Sequence, residues 1–344
     1  MNLVKVAIAG ATGYSGEELI RLLIRHPGIE LACVTSRGNA GQRLEDVFPK
    51  FQGHKYSELK FSGSEPGEIV ASGAHIAFLA LPHGAAAPFA EALLEGEVRV
   101  IDLSADFRLR DGAVYREFYG QDHPAPELMR ESVYGIPELY REHLRKAQLV
   151  ASAGCYPTSV ILPLHPLLKG HLIDPASIVV SSMSGVSGAG RNVAAEYLFA
   201  ECNENARPYG VPKHRHLAEI EQELSVAAGA QVMINFTPHL IPVTRGILTT
   251  TYAMPKAGVT PAAINEALEK AYGEEIFIRL QGEKGTVELK NVTHSNFLDI
   301  AWRHDPRTGR VILMSAEDNL VKGAAGQAVQ NMNAMCGWAE STGL

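Results

Sequence analysis

LVKVAIAGATGYSGEELIRLLIR, residues 3–25, decides the fold. Its first eight residues are apolar apart from Lys5 and end at Gly10, the pattern of a buried strand. Leu19, Ile20, Leu23 and Ile24 then fall at helical spacing, and His26-Pro27-Gly28 stops the run. Between strand and helix lie Gly10, Ala11, Thr12, Gly13, Tyr14, Ser15 and Gly16, a GxxGxxG turn. Glycines there permit a tight turn and let N–H groups approach a pyrophosphate at the helix N-terminus. A plain βα turn would carry the same glycines. The place of this one, after a buried strand and before a helix, favours dinucleotide binding.

Working outward, residues 29–36, 75–81, 98–103 and 148–152 read as further buried strands, with a helix over 85–94. Strands alternating with helices predict right-handed βαβ units and a mostly parallel, Rossmann-type sheet. The second strand ends Thr35-Ser36-Arg37, and no carboxylate follows until Glu45. An NAD site usually has an acid there for the ribose 2′-hydroxyl; a hydroxyl and an arginine suit a 2′-phosphate, hence NADP. An idle, exposed Arg37 is the plainer alternative.

Beyond residue 155 the texture changes. Strand patterns at 177–183, 231–237, 246–254, 276–280, 297–303 and 310–315 often adjoin without an intervening helix. They predict an α+β second domain with a mixed or antiparallel sheet, with helices over 193–202, 217–228 and 261–272. Residues 318–335 return to a helical pattern, interrupted by Gly323 and Gly326 at about 1 kcal/mol each. The expected division is 1–154 plus 317–344 for the dinucleotide domain and 155–316 for the second.

The chain has 344 residues, enough for two such domains, and a formal charge of −7. That balance excludes a bulk electrostatic grip on nucleic acid or anionic lipid, so an anionic ligand must be held by local groups. No apolar run reaches the ~18 residues of a membrane helix, and the first residues read as a strand, not as a leader. Four cysteines without a CxxC pair argue against a disulfide framework or structural zinc and for a reducing, cytoplasmic setting.

One cysteine stands apart. Cys155, in Ala153-Gly154-Cys155-Tyr156-Pro157, follows a strand and precedes an apolar stretch. At the positive end of a helix a thiol is acidified and becomes nucleophilic. Pro163 and Pro166 are expected to kink or shorten that helix and weaken the effect. A small buried hydrophobe is the other reading. Lys213-His214-Arg215-His216 precedes the 217–228 helix. A His-x-His pair can bind metal, but no third ligand is evident; an acid–base role or a basic helix cap remains. The loop from Ser184 to Arg191 is rich in small residues, so Ser187 and Gly188 could offer N–H groups to an anion or a nicotinamide. Asp102 to Arg108 follows the fourth strand, at the edge where open α/β sheets bind ligands. Arg245 lies between two strands as either an anion partner or a surface cation. Tyr56 and Lys60 form a chance YxxxK match in a polar stretch.

Taken in order, these segments resemble the N-acetyl-gamma-glutamyl-phosphate reductases, relatives of aspartate-semialdehyde dehydrogenase. The resemblance rests on residues 9–16, Leu81-Pro82-His83-Gly84, 102–108, 134–139, 154–158, 185–191, His214-Arg215-His216 and 322–328. The family usually has proline before its Gly-Cys; this chain has Ala153. The resemblance implies a Cys155 nucleophile and a His216 acid–base group. It implies substrate contacts at Arg108, Arg191, His214 and Arg245, and no metal. It places Gly10, Thr12, Gly13, Tyr14, Ser15, Gly16, Ser36, Arg37, Pro82, Ser187, Gly188 and Asn319 by NADP, with the C-terminal helix returning to the first domain. The implied reaction is NADPH-dependent reduction of N-acetylglutamyl 5-phosphate to the semialdehyde by a homodimer or homotetramer, in arginine biosynthesis. The same chemistry on a carrier-bound aminoadipyl phosphate of lysine biosynthesis, or a non-catalytic NADP-binding module, are the alternatives.

Overall fold

The computed structural model describes residues 3–344. The chain divides into two compact units. One comprises the chain up to Arg116, Gln121–Ala153 and Ala324–Leu344; the other comprises Glu117–Gly120 and Gly154–Gly323. Residues 317–323, read from sequence as part of the dinucleotide domain, thus group with the second unit.

The first unit contains β1 (Val4–Ala9), α1 (Tyr14–Leu23), β2 (Ile29–Val34), α2 (Leu44–Val47), α3 (Pro66–Ala71), β3 (Ile76–Leu79), α4 (Ala86–Glu95) and β4 (Arg99–Asp102). After α5 (Gly112–Tyr119) come α6 (Pro126–Glu131), β5 (Val133–Gly135), α7 (Pro137–Leu144) and β6 (Leu149–Ser152). Its six strands run in the order β2-β1-β3-β4-β6-β5, all parallel. Val6, Ile8, Phe78, Ile101 and Val150 are buried in one core with Leu19, Ile20 and Leu23 of α1. Burial on both faces explains why these strands read as unbroken apolar runs. Chain order reverses between β1 and β3, the switch point at which such sheets open a crevice.

The second unit contains α8 (Cys155–Lys169), β7 (Ile173–Gly185), α9 (Phe199–Cys202), β8 (Arg207–Pro208), α10 (Arg215–Ala228), β9 (Asn235–Ile241), β10 (Ile247–Pro255), α11 (Pro261–Tyr272), β11 (Ile278–Gly282), β12 (Leu298–Asp305) and β13 (Arg310–Glu317). Its sheet is mixed, in the order β11-β12-β13-β10-β7-β9-β8. Helices α10 and α11 each pack on α8.

Three sequence expectations need correction. The helix over 193–202 is instead a 3₁₀ turn, Ala195–Tyr197, followed by the single turn α9. Its apolar residues find no core: Val193 is 99% exposed and Phe199 81%. The C-terminal helix does not begin at 318. A π turn, Val321–Ala325, comes first, with the Gly323 N–H donating to the Asp318 carbonyl five residues back; α12 (Gly326–Cys336) follows.

The third correction concerns Pro163 and Pro166, which do not interrupt α8. A proline in a helix frees the carbonyl four residues earlier. Here the Ser315 hydroxyl donates to the Ser159 carbonyl at 2.7 Å, and the Tyr272 hydroxyl to the Leu162 carbonyl at 2.7 Å. Both orphaned acceptors are thus satisfied from distant strands and helices.

The last helix, α12, packs on α1 and α7 and buries polar side chains. Asn331 donates to the Gly135 carbonyl at 3.1 Å, and Asn333 to the Glu340 and Thr342 carbonyls, each at 2.9 Å.

Candidate active site

In the first unit the glycine turn is fixed by sterics. Gly10 has φ +76°, and a Cβ there would lie 2.4 Å from the Ala80 carbonyl oxygen. A Cβ on Gly16 would lie 2.5 Å from the Gly10 oxygen. Gly13 caps α1 in an extended conformation. The Thr12 and Ser36 hydroxyls meet at 3.1 Å, and Asn39 donates to Ser36 at 3.0 Å. Turn and second-strand end are therefore one locus. Tyr14 and Arg37 are exposed beside half-buried Ser15. This is the cradle a dinucleotide pyrophosphate requires: N–H groups at a helix start that no side chain can cover.

Pro82 is exposed on the turn after β3, and Asp106 holds that turn. The Asp106 carboxylate accepts from Gly84 N at 2.8 Å and Ala86 N at 3.0 Å, and lies 2.6 Å from His83 Nδ1. Burial acts to raise its pKa, but His83 and the backbone N–H groups outweigh burial and hold it below the usual carboxylate value. Asp102, the last residue of β4, goes the other way: burial first, and Asp106 second, push it up to about 7. Arg108 is buried, donating to the Ser152 carbonyl at 2.9 Å and the Leu103 carbonyl at 2.8 Å. It ties together the carboxyl ends of β4 and β6.

In the second unit Cys155 is the first residue of α8, half-buried, with extended Gly154 as its cap. The helix runs for 15 residues past both prolines, so Cys155 lies at the positive end of a full-length helix. Gly154 N donates to Glu219 Oε2 at 3.2 Å, and Glu219 Oε1 lies 3.8 Å from His216 Nε2. This buried acid joins the residue before the cysteine to the histidine. The residue after it does the same, since the Tyr156 ring packs edge-on against His214 at 5.6 Å and His216 at 5.9 Å. Gly323 closes the back of the site. A Cβ there would sit 2.7 Å from Cys155 Cβ and 2.9 Å from an oxygen of buried Glu317.

His214 is the N-cap of α10, and its Nδ1 accepts from His216 N at 3.1 Å. Burial, with Arg215 second, lowers its pKa to about 4. At neutral pH it is an uncharged imidazole whose Nε2 carries the proton, because Nδ1 is an acceptor. Any substrate contact it makes is a neutral hydrogen bond.

Asn319 forms the remaining cluster. It donates to Ser187 Oγ at 3.0 Å and accepts from Gly246 N at 2.8 Å. Arg245 Nη1 lies 3.5 Å from Asp318 Oδ2. Ser187, Arg245 and Asn319 are therefore brought together, with exposed Gly188 at the rim. Arg191 is exposed, beyond Gly190. Among the described residues no group of three or more His, Cys, Asp or Glu could hold a metal ion. None of their helices is long and apolar enough to cross a membrane.

Sequence reasoning missed Glu219 and Asp318. Only Glu219 had a local signal, since spacing i,i+3 from His216 puts both on one helix face.

A dinucleotide cradle on one unit, and on the other a cysteine at a helix start with a histidine beside it, define a semialdehyde dehydrogenase-type oxidoreductase. Comparisons with known proteins agree. The family described as "Semialdehyde dehydrogenase, NAD binding domain" matches residues 5–147, and "Semialdehyde dehydrogenase, dimerisation domain" matches residues 155–319. The N-acetyl-gamma-glutamyl-phosphate reductase of Akkermansia muciniphila is 56% identical over 344 residues, covering 100% of this chain and 99% of that protein. The proteins of the same name from Syntrophobacter fumaroxidans and Moorella thermoacetica are 50% and 48% identical, each covering 99% of this chain and 98% of the relative. Aspartate semialdehyde dehydrogenase II of Vibrio cholerae, complexed with ASA, shares the fold: TM-score 0.74 at 18% identity, covering 98% of this chain and 99% of that one. The enzyme of Candida albicans with NADP gives 0.73 at 15%, covering 97% and 99%. The chain belongs to the N-acetyl-gamma-glutamyl-phosphate reductase family, as its motifs indicated.

Proposed function

We propose that this chain reduces N-acetylglutamyl 5-phosphate to N-acetylglutamate 5-semialdehyde and phosphate, a step of arginine biosynthesis. The observation that carries the reading is Cys155 at the start of an unbroken helix, with Glu219 linking its cap to His216. A carboxylate carbon is a poor electrophile, and its acyl phosphate is a good one. The Cys155 thiolate attacks the acyl carbon, the carbon–oxygen bond to phosphate breaks, and a thioester remains on the sulfur. His216 accepts the thiol proton and later returns a proton to the substrate oxygen. N–H groups at the start of α8 face the developing oxyanion; losing one such donor costs ~100–1,000-fold. NADPH, when bound, supplies the hydride that takes the thioester to the aldehyde level. Collapse of the tetrahedral thiohemiacetal then re-forms the carbonyl, returns the hydroxyl proton to His216 and breaks the carbon–sulfur bond, expelling the Cys155 thiolate.

The glycine turn holds the pyrophosphate, and Thr12, Ser36 and Arg37 take the 2′-phosphate, which is why we assign NADP. Pro82, Ser187, Gly188 and Asn319 complete the cofactor contacts. Arg245 and Arg191 serve the substrate's anionic groups, with His214 as a neutral donor; Arg108 serves by ordering the strand ends. A second copy of the chain covers the outer face of the second sheet, where Val179 pairs with Tyr252, and Met183 with Leu248. Val179, Met183 and Tyr252 are exposed there. The compartment we assign is a reducing cytoplasm, consistent with four cysteines outside disulfides.

Phosphate-dependent reduction of NADP by N-acetylglutamate semialdehyde tests the reading. Turnover with that aldehyde is expected. Turnover only with a carrier-bound aminoadipate semialdehyde, or none with either, would contradict it.

A further inference from the structure

A loop arginine anchors an anion well only when its flexible side chain is already fixed. The fold fixes Arg245 from three directions. Behind it, a Cβ on Gly185 would lie 2.8 Å from Arg245 N and from the Thr244 carbonyl carbon, so β7 touches the loop backbone directly. After it, Gly246 N donates to buried Asn319 Oδ1 at 2.8 Å. At its head, Asp318 Oδ2 lies 3.5 Å from Nη1.

Asp318 is itself immobile. It is fully buried, and its Oδ1 accepts from Leu320 N at 2.8 Å while Oδ2 accepts from His294 N at 2.7 Å. A buried carboxylate is tolerated only when so satisfied, and here the satisfying N–H groups also fix its direction. At 3.5 Å from Nη1, Asp318 Oδ2 sits beside the guanidinium and orients it. A guanidinium presents five donors in a planar fork, so one flank can be steered while another meets a second acid.

We propose that Asp318 is a positioning residue that fixes Arg245 as an oxyanion anchor of the substrate site. The proposal rests on the acyl-phosphate reading above. The oxyanion is a carboxylate or a phosphoryl group, and the aldehyde-oxidising direction separates them, because phosphate and semialdehyde are then varied independently.

Steady-state kinetics on the full chain test it. Arg245→Gln is expected to raise one KM, for phosphate or for semialdehyde, by about tenfold or more. Asp318→Asn is expected to raise the same KM about tenfold while kcat falls less than about threefold. The double variant is expected to be no worse than Arg245→Gln, since Asp318 acts through that residue. Gly185→Ala, which displaces the loop without touching Asp318, is expected to raise the same KM and keeps the test open if Asp318→Asn folds poorly. An elevated phosphate KM makes the anchor a phosphoryl site; an elevated semialdehyde KM makes it a carboxylate site. Unchanged KM values in folded Asp318→Asn, or effects that add in the double variant, would overturn the proposal. A wild-type chain with no phosphate-dependent turnover would remove the functional reading with it.

Discussion

The two candidate loci are built by opposite means. The dinucleotide cradle of the first unit is made of absences: glycines at 10 and 16 whose side chains would strike Ala80 and Gly10. The cysteine–histidine locus of the second is made of side chains converging from α8, α10 and the segment after β13. Backbone geometry is local and shows in a short motif. Convergence is long-range and shows only when the chain is folded.

That contrast predicts where substitutions act. The largest effect is expected from His216→Asn, which should lower kcat by about 10²–10⁴-fold while the NADPH Kd stays within twofold. Parallel losses of both, measured by steady-state kinetics and fluorescence titration, would erase the distinction between the loci. Arg37→Asp should do the reverse, weakening NADPH by about tenfold or more and NADH little, with kcat at saturating cofactor nearly retained. Equal losses for the two cofactors would refute the 2′-phosphate assignment.

The second locus also depends on the proline-bearing helix α8, which positions Cys155. Tyr272→Phe should leave the buried Leu162 carbonyl unsatisfied and cost about 1–3 kcal/mol in denaturant unfolding. A cost near zero would mean the helix tolerates Pro166 without that hydroxyl.

The smallest effects are in pH dependence, and they have opposite signs in the two units. Asp102, pushed up to about 7, binds its proton more tightly folded than unfolded. Its contribution to stability is complete below about pH 4 and lost as pH rises through 7. His214, lowered to about 4, contributes fully above about pH 6.5 and loses that contribution as pH falls toward 4. Relative to wild type, the slope of melting temperature against pH should become more positive between pH 4 and 7 in Asp102→Asn, and less positive between pH 4 and 6.5 in His214→Asn. Unaltered slopes would exclude these two groups.

Much of the fold was legible because its strands are buried on both faces. Residues 3–10 and 75–81 read as apolar runs for the same reason that Val6, Ile8 and Phe78 lie in the core. The segment 193–202 misled because Val193, Leu198 and Phe199 are apolar yet exposed. Pro163 and Pro166 misled because the hydroxyls that relieve them come from Ser315 and Tyr272, over a hundred residues away. At the candidate site, Cys155 and the histidine pair were visible as motifs. Asp318 was not, since its ties to Arg245 and to His294 N cross 73 and 24 residues.

The most direct test is the intact mass of the protein after rapid mixing with N-acetylglutamyl phosphate in the absence of NADPH. Wild type is expected to gain an N-acetylglutamyl group that is lost with hydroxylamine, maps to the Cys155 peptide and is missing from Cys155→Ala. An adduct on another residue, or full turnover by Cys155→Ala, would contradict the Cys155 thioester.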